Sequence, residues 1–278
     1  MSDSIIGLTD WLQTPPGQYL LGWEQAQFDL TVADLFGYNA LQLGLPELDT
    51  LRANRMPHRW QALPEELPGL SDTSHEAAVV AGSQGGDTAP PKVARVHLVT
   101  NAAALPFPPA SLDLLVLPHT LELSADPHHV LREVERVLVP EGRVVISGLN
   151  PASFWGFRQG RGHLWSRLHL PGATPPKLYL PEAGDFIGPW RLRDWLRLLS
   201  FEVESDRYGC YRPAVRSDKW LQRTAWMDRA GARWWPIFGA VYFVVAVKRV
   251  RGVRLLGPAW KPRRAGATAS PVPVANRH

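Results

Sequence analysis

The chain has 278 residues, 45% of them apolar, which suits one decorated domain with enough apolar side chains to fill a core. Its formal net charge is +4 and its pI near 9.4, a basic excess too mild to argue for a nucleic-acid partner by itself. A single cysteine, Cys210, excludes an internal disulfide and any multi-cysteine metal site, and fits a reducing, cytoplasmic compartment.

Residues 1–16 read as a short N-terminal segment without the basic start and long apolar stretch of a secretory leader. One domain is expected over 17–256. It opens with a helix over 17–36, where Leu20, Leu21, Trp23, Phe28, Leu30, Val32, Leu35 and Phe36 recur at near-helical spacing, with Pro15 and Pro16 before the start. Residues 38–44 form a short apolar strand closed by Gly44. One or two helical turns are expected over 48–56, then a second strand over 58–63. From 71 to 92, Ser, Thr, Gly, Ala and Pro dominate, and Gly85-Gly86 and Pro90-Pro91 act as breakers. That stretch is too poor in large apolar residues to pack and reads as a flexible surface insertion.

Regular alternation follows. Residues 93–100 read as a strand, and 112–117 as a second, almost wholly apolar one. A helix is expected over 127–138, with Asp126 as cap, Pro127 at the first helical position, and Val130, Leu131, Val134, Val137 and Leu138 on one face. Glu141-Gly142 ends it, and 143–148 is a further strand. Strand, helix and strand with apolar strands imply a parallel sheet covered on both faces. A looser stretch rich in Arg and Trp, 151–190, leads to a helix over 191–199 and strands over 201–207 and 240–249. The longest apolar run, around 236–247, falls short of the ~20 residues a membrane-spanning helix needs and reads as a buried strand. The tail, 257–278, is expected to be disordered. No internal repeat is evident.

The run Asn101-Ala-Ala-Ala-Leu-Pro-Phe107, the strand Ser111-Leu-Asp-Leu-Leu-Val-Leu-Pro-His-Thr-Leu-Glu122, the helix over 127–138 and Pro140-Glu-Gly-Arg-Val-Val-Ile-Ser147 together resemble the second half of a type-11 methyltransferase domain. That family includes the ubiquinone and menaquinone biosynthesis methyltransferases. Gly148-Leu-Asn-Pro-Ala-Ser-Phe-Trp-Gly156, Leu192-Arg-Asp-Trp-Leu-Arg-Leu-Leu199 and the ending 239–249 resemble a bacterial branch of it, so the likeness extends over about 23–260.

The resemblance implies a doubly wound α/β fold, Rossmann-like and class I, with a mostly parallel seven-stranded sheet and an antiparallel C-terminal strand. It also implies S-adenosylmethionine as cofactor and an unidentified methyl acceptor, a small molecule first of all. In such a sheet the ligand sits at the carboxyl ends of the strands, at the switch point. Gln42, Leu43 and Gly44 would then lie near the methionine part, Asn101 and Ala102 near the adenine, and Leu117 and Pro118 near the methyl group. The chain departs from the family pattern at three places. Leu41-Gln-Leu-Gly-Leu-Pro-Glu47 keeps one glycine of the usual glycine-rich loop and has Gln42 near the usual acid. The strand at 58–63 ends without an acid unless Glu65 or Glu66 supplies it, and Asn101 stands where Asp is common. A methyltransferase-fold protein that has lost catalysis and serves as a binding or scaffolding module is therefore the rival expectation.

Methyl transfer from a sulfonium needs proximity and alignment above all, and a base only where the acceptor must lose a proton early. His119, directly after the strand that should end at the pocket, is the candidate base, with Glu122 three residues on to orient it; the alternative is a histidine with a purely structural hydrogen bond. His128 and His129 cannot both face one metal, and no His/Asp/Glu cluster has metal spacing, so no metal is expected. Residues 154–167, with Trp155, Arg158, Arg161, His163, Trp165 and Arg167, read either as a basic aromatic cover over an anionic or planar acceptor or as a loop pinned by its tryptophans. The basic residues from Lys248 to Arg264 could touch RNA or an anionic membrane, but no RNA-binding signature accompanies them. Cys210 reads as a packing residue.

Overall fold

The computed structural model describes residues 7–64, 98–167, 179–181 and 185–249, with the side chains of 162–167 set aside. The expected insertion at 71–92, the start of the 93–100 strand and the tail at 257–278 lie outside the described residues.

Thr14 caps the long first helix. Its side chain accepts from the Gly17 amide, and α2 (Pro15–Val32) begins with both prolines inside its first turn. That is two residues earlier than the spacing of apolar residues suggested, because first-turn amides need no helical acceptor and proline suits them. A one-and-a-half-turn helix, α1 (Leu8–Leu12), precedes it. The buried residues of α2 include Leu20, Glu24, Phe28 and Val32, a stripe of i, i+4 steps with one acid in it.

Seven strands form the sheet: β1 (Asn39–Leu43), β2 (His58–Pro64), β3 (Leu98–Thr100), β4 (Leu112–Pro118), β5 (Leu138–Leu149), β6 (Phe201–Gly209) and β7 (Val241–Lys248). Their order is β3-β2-β1-β4-β5-β7-β6. The first five run parallel, and β7 is antiparallel to both β5 and β6. The order reverses between β1 and β4, which places the switch point there. This is the doubly wound sheet with an antiparallel C-terminal strand that the resemblance implied.

Alternate residues of β4 serve opposite faces, as strand geometry requires. Leu114 and Val116 pack with Leu20, Phe28 and Val32 of α2, where the Phe28 and Phe243 rings meet edge-on at 4.9 Å. Leu115 and Leu117 pack beneath α4 (Pro127–Val137) and α6 (Pro189–Leu198) through Val130, Leu131, Val134, Leu192 and Leu196. Each such fully buried side chain contributes on the order of 1.5–3 kcal/mol. The Asp126 carboxylate caps α4 by accepting from the His129 amide, as expected.

The remaining segments correct the sequence reading. Residues 48–56 make turns instead of helix, because side chains take over the local backbone. Asn54 donates to the carbonyls of Val32 (2.8 Å) and Leu35 (3.1 Å) and accepts from the Met56 amide (2.9 Å). A single turn, α3 (Thr120–Leu123), follows β4. Part of the looser 151–190 stretch is a helix, α5 (Phe154–Arg167). Its start is fixed by Ser153, whose Oγ accepts from the Gly156 amide (3.0 Å). Between β6 and β7 lie α7 (Asp218–Arg223), α8 (Trp226–Trp234) and a 3-10 turn at Pro236–Phe238, so only the latter part of the 236–247 apolar run is strand. Among the described residues no helix is long and apolar enough to cross a membrane.

Candidate functional site

Five chain segments converge at the carboxyl edge of the sheet. Gly44 follows β1, Pro64 ends β2, Ala102 follows β3, Pro118 ends β4, and Thr120, Leu123 and Ser124 come from α3 and the residue after it. Together they line a small, partly open cleft. The cleft opens where the strand order reverses, which is where a doubly wound sheet takes its ligand.

Gly44 has φ +90°, in the left-handed region where a side chain is strained, and Leu45 beside it has φ 41°. A Cβ on Gly44 would come within 2.8 Å of Thr120 Oγ1. The Thr120 hydroxyl donates to the Leu43 carbonyl and so ties α3 to the end of β1. The loop after β1 is held from within by Gln42. Its amide nitrogen donates to the carbonyls of Gly44 (3.2 Å), Leu45 (3.0 Å) and Leu48 (2.6 Å), and its oxygen accepts from the Thr50 amide (3.0 Å) and hydroxyl (2.7 Å). Every polar atom of this buried side chain is thus committed to its own loop, and none is left for a ligand.

Of the residues expected at the cofactor, Gly44, Ala102 and Pro118 line the cleft. Leu43 and Leu117 are wholly buried in the sheet, and Gln42 serves its loop. Asn101 is exposed beside Ala102. Its Oδ1 accepts from the Ala103 amide (2.7 Å), forming a local turn. Pro64, Thr120, Leu123 and Ser124 were not foreseen; the signal for Pro64 was its place at the end of a strand parallel to β1.

His119 adopts φ 53°, and its side chain turns away from the cleft that its neighbours Pro118 and Thr120 line. It is 1% exposed and lies between two buried carboxylates. Nδ1 donates to Glu122 Oε2 at 2.9 Å, and Nε2 sits 3.0 Å from Glu24 Oε1 on α2. The second contact is off the hydrogen-bond axis, for neither Glu24 oxygen has an aligned donor, so charge holds it more than direction. Burial opposes the imidazolium, but Glu24 and Glu122 outweigh it and push the His119 pKa up to about 10. Burial also raises Glu122, whose other oxygen accepts from the Leu149 amide. A protonated imidazole has no lone pair to offer, so this geometry opposes the expected role of His119 as a base. Glu24 was missed, although an acid between Leu20 and Phe28 on an apolar stripe was a visible signal. No group of three or more His, Cys, Asp or Glu side chains among the described residues is arranged to hold a metal ion.

The first turns of α5 are pinned by Trp155. Trp155 is buried, donates to the Arg212 carbonyl (2.7 Å) and meets the Trp11 and Tyr179 rings edge-on. Arg158 stacks over Tyr179 at 5.3 Å. Cys210 is buried, and its thiol is held well above its ordinary pKa by burial.

A doubly wound sheet in this order, with an antiparallel C-terminal strand and a cleft at its switch point, is the fold of the class I S-adenosylmethionine-dependent methyltransferases. Residues 70–146 match the model of a methyltransferase domain. The match begins after β2 and so leaves out the Gln42–Gly44 loop. The chain is 40% identical over 108 residues to the uncharacterized protein YafS of Escherichia coli K12, a stretch covering 39% of this chain and 40% of that protein. Its fold resembles that of a Thermotoga maritima S-adenosylmethionine-dependent methyltransferase at 15% identity, with a TM-score of 0.50 over 83% of this chain and 92% of that one. A chain of the Haloferax volcanii complex containing the Trm112 methyltransferase activator also superposes, at 16% identity and TM-score 0.50, over 90% and 99% of the two chains.

Proposed function

We propose that the protein transfers a methyl group from S-adenosylmethionine, bound in the cleft of Gly44, Ala102 and Pro118, to a small-molecule acceptor. The observation that carries this reading is the convergence of four strand ends and α3 on one cleft at the switch point. The character of the lining suits the cofactor. Gly44 and Ala102 present no long side chain, and Pro64, Pro118 and Leu123 supply apolar walls for a flat ring and a thioether chain. The cofactor supplies an electrophilic methyl on a sulfonium, whose charge disperses or is neutralised as the bond to the acceptor forms. Apolar walls favour that loss of charge relative to water. The exposed amide nitrogen of Asn101 is the donor we assign to the adenine, and the catalytic contribution of the protein is proximity and alignment. His119 acts, in this reading, as a charged tie between α2 and the sheet.

Calorimetric titration with S-adenosylmethionine and its demethylated product is the test. Saturable heat is expected, and its absence at millimolar concentrations would overturn the proposal. Asn101→Ala should weaken binding by roughly a factor of ten, the value of one good hydrogen bond; unchanged affinity would refute the adenine placement. A second reading, a binding module without catalysis, is favoured by the full commitment of Gln42 to its own loop. Binding of the cofactor with no turnover against any nucleophilic acceptor would support it.

A further inference from the structure

The edge that carries the cleft also carries most of the exposed aromatic surface. β5 ends there at Leu149, which pairs with Val241 at the start of β7, and Val241 pairs with Gly209 at the end of β6. The whole β6–β7 connection therefore starts and finishes at the carboxyl edge, as does the start of α5. Of the four tryptophans at least half exposed among the described residues, three (Trp220, Trp226, Trp234) lie in that connection. Trp226 is 64% exposed, Trp234 76%, and Phe157 on α5 73%. Phe154 of α5 and Phe238 of the 3-10 turn stack with ring centroids 5.9 Å apart and make the two segments continuous.

The construction of α8 explains why these rings face outward. One side docks: Gly231 packs so closely on the Tyr211 ring that a Cβ there would clash, and Asp228 pairs with Arg212 (2.9 Å) and accepts from the Tyr19 hydroxyl. At helical spacing the opposite side presents Trp226, Arg229, Arg233 and Trp234, all exposed. Among the described residues neither arginine has a carboxylate partner. Residues 216–238 hold five basic residues against two acidic ones, and one of those acids, Asp228, is already paired.

We infer that this face is a peripheral docking surface for an anionic lipid bilayer. A protein partner would be met by an apolar centre with a polar rim. Here arginines and tryptophans alternate on one short helix at a single level, the arrangement that suits the headgroup layer, where indole rings and guanidinium groups are stabilised together. The excess of positive charge complements acidic headgroups. Docking in this way sets the cleft edge against the membrane, and it holds whether or not the cleft is catalytic.

The test is flotation of the full chain with vesicles of phosphatidylcholine alone and of an equimolar mixture with phosphatidylglycerol, at low and high salt. Retention on the anionic vesicles only, weakened by salt, is expected, with tryptophan emission shifted to the blue and quenched by brominated lipid. Trp226→Ala with Trp234→Ala should weaken partitioning about tenfold and remove most of the quenching. Arg229→Glu with Arg233→Glu should abolish the anionic preference, at about fivefold per charge. All four side chains are exposed, so circular dichroism should show both double variants folded. Vesicle binding unchanged in both variants would assign it to the basic tail and overturn the inference. Salt-sensitive RNA retention, or self-association lost in the tryptophan variant, without vesicle binding would overturn it in favour of those partners.

Discussion

Gln42 shows how one side chain can close a site to its usual chemistry. The family pattern puts an acid near this position, and restoring it looks conservative on paper. In this chain, however, the amide nitrogen faces three carbonyl oxygens, those of Gly44, Leu45 and Leu48. A carboxylate oxygen there would meet three acceptors without a proton to share. Gln42→Glu is therefore expected to destabilise the protein by about 2–4 kcal/mol, more than Gln42→Ala at about 1–3 kcal/mol, and to leave cofactor affinity no better than before. Urea unfolding of the two variants decides it; a more stable glutamate variant, or one that binds S-adenosylmethionine more tightly, would contradict this account. Gly44→Ala probes the adjoining backbone. It combines a left-handed φ with a 2.8 Å approach to Thr120 Oγ1, so a loss of about 1–3 kcal/mol is expected, and Thr120→Ser in the same chain should not restore it, since the hydroxyl stays.

Elements were legible where burial alone dictated the residues. β4 and β7 are apolar on both faces because helices cover both sides, and α4 has a sharp division between its faces, so periodicity found all three. α5 and α8 were not legible in the same way. Their exposed faces carry tryptophan, phenylalanine and arginine, while glycines such as Gly156 and Gly231 sit on their buried faces, where close packing excludes a side chain. Polarity there runs against the usual rule, and on α5 a periodic pattern does not form. The cap Ser153 was the local sign of α5. Ser153→Ala should cost about 1 kcal/mol by removing the acceptor of the Gly156 amide, measured as a lowered thermal midpoint; Ser153→Asp should retain most of the stability. The candidate site divides along the same line. Strand ends were found from the order of strands, whereas the inward commitment of Gln42 and the turning away of His119 depend on side-chain directions that a resemblance does not carry.

At the scale of the whole molecule, the Glu24–His119–Glu122 cluster joins α2 to β4 and, through the Leu149 amide, to β5. It binds the N-terminal helix to the sheet by charge inside an otherwise apolar layer, and this makes stability depend on pH. Other titrating groups that face the cluster are Tyr242 on β7, which is close to Glu122, and Cys210, which feels Glu24; burial raises both. The His119 pKa in the folded state, about 10, lies above its ordinary 6.5. The folded protein therefore binds this proton more tightly than the unfolded chain does. Its contribution is fully present below pH 6.5 and is lost as pH rises from there through 10. Glu122, raised above 4.5, acts in the same sense from a lower starting point. Stability should fall by a few kcal/mol between pH 6.5 and 9, a window that ends where the thiol and phenol would begin to titrate in the unfolded chain. His119→Gln should be less stable than the parent at pH 6, because two buried carboxylates then face each other without a cation, at a cost of about 3–5 kcal/mol. It should also show a flattened profile over the same window. Denaturant midpoints for both proteins across that range provide the check, and a parent whose midpoint rises between pH 6.5 and 9 would show that His119 is neutral in the fold and free to act as a base after all.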